Sequence, residues 1–159
     1  MTNDYPQAPA IDASEWFNTT VPLSLASLRG EVVVLHAFQM LCPGCVMHGL
    51  PQAQAMHDRL SPLGVRVIGL HTVFEHHEAM TEVALRAFIH EYRLTFPIAI
   101  DRPSPQHSIP HTMAAYGLQG TPSLVVIDRQ GRIREQAFGK VNDLMLGVLL
   151  GSLLSEPTG

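Results

Sequence analysis

One seven-residue run, Val32-Val33-Val34-Leu35-His36-Ala37-Phe38, constrains this chain more than any other feature. It is short, almost wholly apolar and β-branched, which is how a strand buried on both faces reads. Similar runs recur at residues 65–70, 97–100 and 124–127. Helical periodicity separates them. One helical pattern runs from just after the first strand to about Leu60, with Pro51 inside it, where it should kink the helix. A second spans residues 78–92, where Met80, Val83, Ala84, Ala87 and Phe88 fall on one face. Asp128-Arg129-Gln130-Gly131 reads as a hairpin turn between strands at 124–127 and 133–138. His111 to Tyr116 reads as a helical turn closed by Gly117. The order is β, α, β, α, β, then a hairpin, then a helix. Right-handed crossovers make the first strands parallel. An α/β fold is expected, with a central mixed sheet flanked by helices and a C-terminal β-hairpin and helix.

The ends are less periodic. Residues 1–15 read as a flexible leader and residues 16–159 as one domain, with Trp16 and Phe17 docking on the core. The last helix, residues 141–154, is apolar on two sides. Val141, Leu144, Met145, Val148 and Leu149 form the side expected to pack on the sheet. Leu146, Leu150 and Leu153 form a second side, which a homodimer partner or the leader would have to cover.

Bulk properties exclude several functions. The 159 residues carry a formal net charge of −4, and Lys140 is the sole lysine. No basic cluster supports nucleic-acid binding. No stretch approaches the roughly 20 apolar residues of a membrane span. The N-terminus has no signal-peptide pattern, so a cytoplasmic location is expected. Two cysteines, three positions apart, are too few for a disulfide-stapled secreted domain or a four-ligand zinc site.

Those cysteines form Cys42-Pro43-Gly44-Cys45, directly between a strand and a helix. A thiolate at a helix N-terminus meets unpaired backbone N–H groups and the positive end of the dipole, and both lower its pKa. Cys45, one turn on, lies within disulfide reach. The pair reads as a redox dithiol, with Cys42 as the exposed nucleophile and Cys45 as the buried resolving thiol.

Four segments carry a family resemblance. They are residues 28–35, Leu-Arg-Gly-Glu-Val-Val-Val-Leu; the Cys-Pro-Gly-Cys motif; residues 64–70, Gly-Val-Arg-Val-Ile-Gly-Leu; and Tyr116-Gly117-Leu118-Gln119-Gly120-Thr121-Pro122-Ser123 with residues 126–131. From about Leu23 to Leu154 the chain resembles the thioredoxin superfamily, and within it the TlpA-like (redoxin) thiol–disulfide oxidoreductases. The resemblance implies a thioredoxin-like fold. It also implies disulfide reduction or exchange through a mixed disulfide, without a cofactor. The partners implied are a disulfide-containing protein or small molecule as substrate, and a thiol electron donor. It further implies that Pro122 is cis and that Thr121 and Pro122 bind an extended substrate beside the sulfurs. The chain departs from the pattern at Leu41, where the family has Trp. It departs again at His48, where many members have Glu, and at Pro51, which stands one position late. Thioredoxin's buried Asp and Lys have no evident counterpart. His48, three residues after Cys45, is the candidate base for the Cys45 thiol.

Two other functions are weighed. A peroxiredoxin-like peroxidase uses Pro-x-x-x-Thr-x-x-Cys; placing Cys45 as its cysteine puts Phe38 at the Pro position and Cys42 at the Thr position. A thioredoxin-like binding module commonly loses a cysteine, and both are present here. His71, His76 and His77 invite a metal site, but further ligands are not evident, and solvated loop histidines are the plainer expectation.

Overall fold

The structure is a computed structural model and describes residues 4–158. Its centre is a six-stranded sheet in the order β1-β4-β3-β2-β5-β6. The strands are β1 (Ala13–Phe17), β2 (Val32–Phe38), β3 (Val65–His71), β4 (Ile98–Asp101), β5 (Ser123–Ile127) and β6 (Ile133–Phe138). β2, β3 and β4 are parallel, as their helical crossovers require. β5 runs antiparallel to β2, β6 antiparallel to β5, and β1 antiparallel to β4. This is the mixed sheet with a C-terminal hairpin that the run order implied.

The helices are α1 (Leu50–Leu60), α2 (Glu82–Glu91), α3 (His111–Tyr116) and α4 (Asp143–Leu154). Strand alternation sorts the core. Val32, Val34 and Phe38 face α1, α2 and α4, while Val33 and Leu35 face the other side with Ile68, Leu70, Tyr116 and Val125. The Asp128 carboxylate holds the hairpin turn. It accepts from the amides of Gln130 and Arg132 and pairs with the Arg132 and Arg134 guanidinium groups.

Three expectations are corrected. First, the described part of the leader is not loose. Ile133 N–H donates to Pro6 O, Ala8 N–H to Gly131 O, and Tyr116 Oη to Pro9 O. Residues 13–17 then add a sheet strand, with Phe17 and Trp16 in the two core layers. Residues 1–3 lie outside the described residues. Second, α2 begins at Glu82, capped by the Thr81 hydroxyl accepting from Ala84 N–H. Its buried residues are Leu85 and Ile89, and Val83 points outward. Third, the faces of α4 are exchanged. Leu146, Leu150 and Leu153 are buried, whereas Leu144, Met145 and Val148 are 80%, 68% and 69% exposed. β1 lies at the sheet edge beyond β4, so Trp16 and Phe17 do not cover that outward stripe.

The assignment of α4 has a direct test. Leu150→Ala should cost about 2–5 kcal/mol, because a wholly buried side chain leaves a cavity. Val148→Ala should change stability by less than about 0.5 kcal/mol. Urea midpoints with an unchanged slope measure both; a larger loss for Val148→Ala than for Leu150→Ala would mean that α4 is seated the other way.

Candidate active site

Cys42 closes the link from β2 into the first helical turn. Its carbonyl accepts from Val46 N–H, and its Sγ accepts from Cys45 N–H at 3.2 Å. The sulfur therefore caps the helix, as a serine oxygen does elsewhere. An orphan backbone donor and the helix dipole are both aimed at it. Cys42 is half-buried and Cys45 is wholly buried. The two are joined as a disulfide, with Cα atoms 5.2 Å apart.

The expected kink takes a specific form. Residues Cys45–Gly49 make a π-helical turn, closed by Leu50 N–H donating to Cys45 O, and α1 follows. Pro51 cannot donate, and its ring would press on the carbonyl four residues back. Widening the preceding turn relieves that crowding, so the proline is absorbed upstream of itself.

The Thr121–Pro122 peptide is cis. A Cβ on Gly44 would come within 3.3 Å of Pro122 Cδ, so the proline ring lies against the cysteine motif. The antiparallel pairing of β2 and β5 produces this meeting. Ala37 pairs with Ser123, which sets the end of one strand beside the start of the other. Gly139 N–H donates to the Pro122 carbonyl. Among the described residues no hydrogen bond engages the amide or carbonyl of Thr121.

His48 is exposed and lines a cavity beside Pro122. Among the described residues no hydrogen bond joins it to either sulfur. The face that residues i and i+3 share in an α-helix is lost here, because a π turn advances the chain through a smaller angle per residue. Phe38, at the position where a peroxidase motif needs Pro, is buried in the core.

Two histidines, neither singled out as a site residue, are buried beside the motif. His71 is not a solvated loop residue: it ends β3 inside the core, and its Nε2 accepts from Met40 N–H at 3.3 Å. His36, on β2, has no hydrogen-bond partner at either ring nitrogen. Phe38 lies between the two rings, with centroids 6.2 Å from His36 and 5.1 Å from His71. Burial pushes both imidazoles down to about 4, so both are neutral at pH 7. The sequence signal for His36 was a single polar residue within a run otherwise wholly apolar. Among the described residues no group of three or more His, Cys, Asp or Glu is placed to hold a metal ion.

Residues 6–136 match the model of the AhpC/TSA family. The chain belongs to the AhpC/TSA family. Among curated relatives, the thiol–disulfide oxidoreductase ResA of Bacillus anthracis is 26% identical over 118 residues, covering 74% of this chain and 61% of that protein. The chain thus spans about three-fifths of the length of these curated relatives. A thiol–disulfide isomerase from Corynebacterium glutamicum superposes with a TM-score of 0.92 at 53% identity, over 98% of this chain and 99% of that one. A thioredoxin-like superfamily protein superposes with a TM-score of 0.93 at 52% identity, over 96% and 98% of the two chains. The fold is thioredoxin-like, and the relatives bearing activity names are named for thiol–disulfide chemistry.

The two buried histidines set an acid limit on this AhpC/TSA domain. Their folded-state pKa lies below the unfolded value of about 6.5, so unfolding takes up protons at acid pH. Stability is unaffected by them above about pH 6.5 and falls as pH drops from there toward 4. The loss approaches about 3 kcal/mol for each ring, by the conversion from pKa shift to free energy. Urea midpoints should therefore fall between about pH 7 and 4.5, and fall less in His71→Asn. Identical pH dependence in wild type and variant would show that His71 is not held neutral.

Proposed function

We propose that this chain is a thiol–disulfide oxidoreductase whose Cys42 attacks or is attacked by a substrate sulfur, with Cys45 resolving the mixed disulfide. One observation carries the reading. Cys42 Sγ caps the helix and accepts a backbone N–H, while Cys45 is buried one turn behind it. Charge on the Cys42 sulfur is stabilised where it is reachable, and the second thiol is shielded until needed. The substrate is a disulfide-containing protein or small molecule, and a thiol reductant regenerates the dithiol. Thr121 offers an unengaged amide and carbonyl next to the disulfide, which suits an extended chain pairing in β fashion. Pro43-Gly44 places no charge between the sulfurs, so the direction of electron flow rests on the measured potential. A value near about −270 mV marks a reductant and one near about −120 mV an oxidant.

A homodimer through α4 belongs to the same proposal. Its contact would be Leu144, Met145 and Val148, three large apolar side chains on one exposed stripe. Among the described residues no helix is long and apolar enough to cross a membrane, so α4 is not a span.

Cys45→Ser should accumulate a mixed disulfide with an insulin substrate, and Cys42→Ser should accumulate none. Iodoacetamide should modify Cys42 faster than Cys45 in the reduced protein at neutral pH; the reverse order would overturn the assignment. Sedimentation at micromolar concentration should show a dimer that Val148→Glu dissociates. A wild-type monomer would remove the dimer.

A further inference from the structure

We propose that the cavity beside Pro122 is the substrate site for a low-molecular-weight disulfide bearing carboxylates. Arg59 and Lys140 hold a carboxylate at its rim, and His36 meets the body of the molecule at its buried wall. The proposal rests on the oxidoreductase reading above and names the substrate class for that same dithiol.

The cavity measures about 560 Å³, a size that suits a small ligand. It lies between α1, the Pro122–Leu124 segment, and α4 with the loop before it. Met56, Leu146, Leu150 and His36 are buried on its wall. His36 is 2% exposed, and among the described residues it is the one whose buried side-chain nitrogens lack any partner. A Cβ at position 49 would lie 2.5 Å from His36 Cε1, so the ring is held against the backbone of Gly49. Leaving a buried polar group unpaired is unfavourable. The neutral ring offers one donor and one acceptor, and a polar ligand entering the cavity supplies partners for them.

Charge gives the ligand its sign. The chain has 10 Lys and Arg residues. Among the described residues, only Arg59, Arg93 and Lys140 have side chains without a hydrogen bond, ion pair or ring contact. Arg59 and Lys140 both stand on this cavity, exposed, one near the end of α1 and the other in the loop before α4. The carboxylate on the cavity, Asp143, accepts from Gln52 Nε2. The cavity therefore presents uncompensated positive charge in a protein whose formal net charge is −4. The field of the whole chain repels an anion, so a preference for carboxylates has to arise locally.

The cavity adjoins the sulfurs. Pro122 and Gly49 line it; the Pro122 ring lies against Gly44, and the π turn that ends at Gly49 begins at Cys45. From Gly49 to Arg59 the helix rises about 15 Å. A thiol of tripeptide size extends about 10 Å, and helical side chains lean toward the N-terminus, which brings the Arg59 guanidinium nearer. A carboxylate at the rim and a sulfur at Cys42 are then compatible. The reaction balances. The Cys42 thiolate attacks one sulfur of the bound disulfide, whose S–S bond breaks, and one half leaves as a thiolate. The Cys45 thiolate attacks Cys42 Sγ, the Cys42–Cys45 bond forms, and the second half leaves. Two electrons pass from the dithiol to the small disulfide, and the two protons of the dithiol end on the two released thiols.

The test compares reduction of oxidised glutathione with reduction of its fully esterified form, which keeps the disulfide and loses the carboxylate charge. In the wild type, kcat/KM for the acid should exceed that for the ester by about 10-fold. In the double variant Arg59→Gln, Lys140→Gln the ratio should fall to about one or below, with the loss in KM. Arg93→Gln removes the same charge outside the cavity and should keep the wild-type ratio. A wild-type ratio at or below unity, an unchanged ratio in the double variant, or an equal fall in Arg93→Gln would overturn the proposal. So would a wild type that reduces insulin disulfides and neither small compound. A wild type that reduces none of the three would instead overturn the oxidoreductase reading. Binding is also read without turnover and without a variant. S-methylglutathione, which has no disulfide, should shift the ¹⁵N resonances of the His36 ring in the oxidised wild type. Resonances that do not move would overturn the placement of the ligand in this cavity.

Discussion

β2 is the constraint on which the rest of the molecule depends. All seven of its residues are buried, and it pairs with β3 on one side and β5 on the other. A strand in that position cannot slip by one residue without turning Val32, Val34 and Phe38 out of one core layer and into the other. Its register therefore fixes where the chain leaves the sheet, and Cys42 follows four residues later. The antiparallel pairing with β5 does the remaining work. It brings the cis proline to the end of β2, so two segments about 80 residues apart in sequence meet at the sulfurs. Neither the helix cap at Cys42 nor the contact of Pro122 with Gly44 needs any further device.

What was legible in the sequence follows from the same logic. Strands buried on both faces announce themselves as continuous apolar runs, and β2, β3 and β5 were found within a residue of their bounds. The strand–Cys–helix order placed the two cysteines within disulfide reach, because their spacing in one helical turn is a local matter. β1 was missed because Ala13-Ser14-Glu15 carries no apolar alternation. It is a strand through pairing with β4, a tertiary effect that local pattern does not encode. α4 misled for the opposite reason. It is apolar on every side, so its periodicity carries almost no information about which side faces the sheet. α2 was legible as a helix, and its inward face was shifted because Leu85 and Ile89, rather than Val83, meet the core.

His48 and His36 show where residue-by-residue reasoning stops. Spacing from Cys45 pointed to His48, on the rule that residues three apart share a helix face. That rule holds for α-helical rotation, and the π turn demanded by Pro51 breaks it. His36 is six residues before Cys42 on a strand, with no periodic relation to the helix at all. Only the folded arrangement reveals that its ring lies under Gly49.

The burial of His36 has a consequence for the whole fold. Desolvation lowers its proton affinity, so the resting ring is neutral throughout the neutral range and the fold loses stability as acid charges it. The buried strand therefore carries an unpaired neutral group rather than a permanent ion. In a site whose motif residues Pro43 and Gly44 are themselves uncharged, that keeps the electrostatics of the disulfide governed by the helix N-terminus at Cys42.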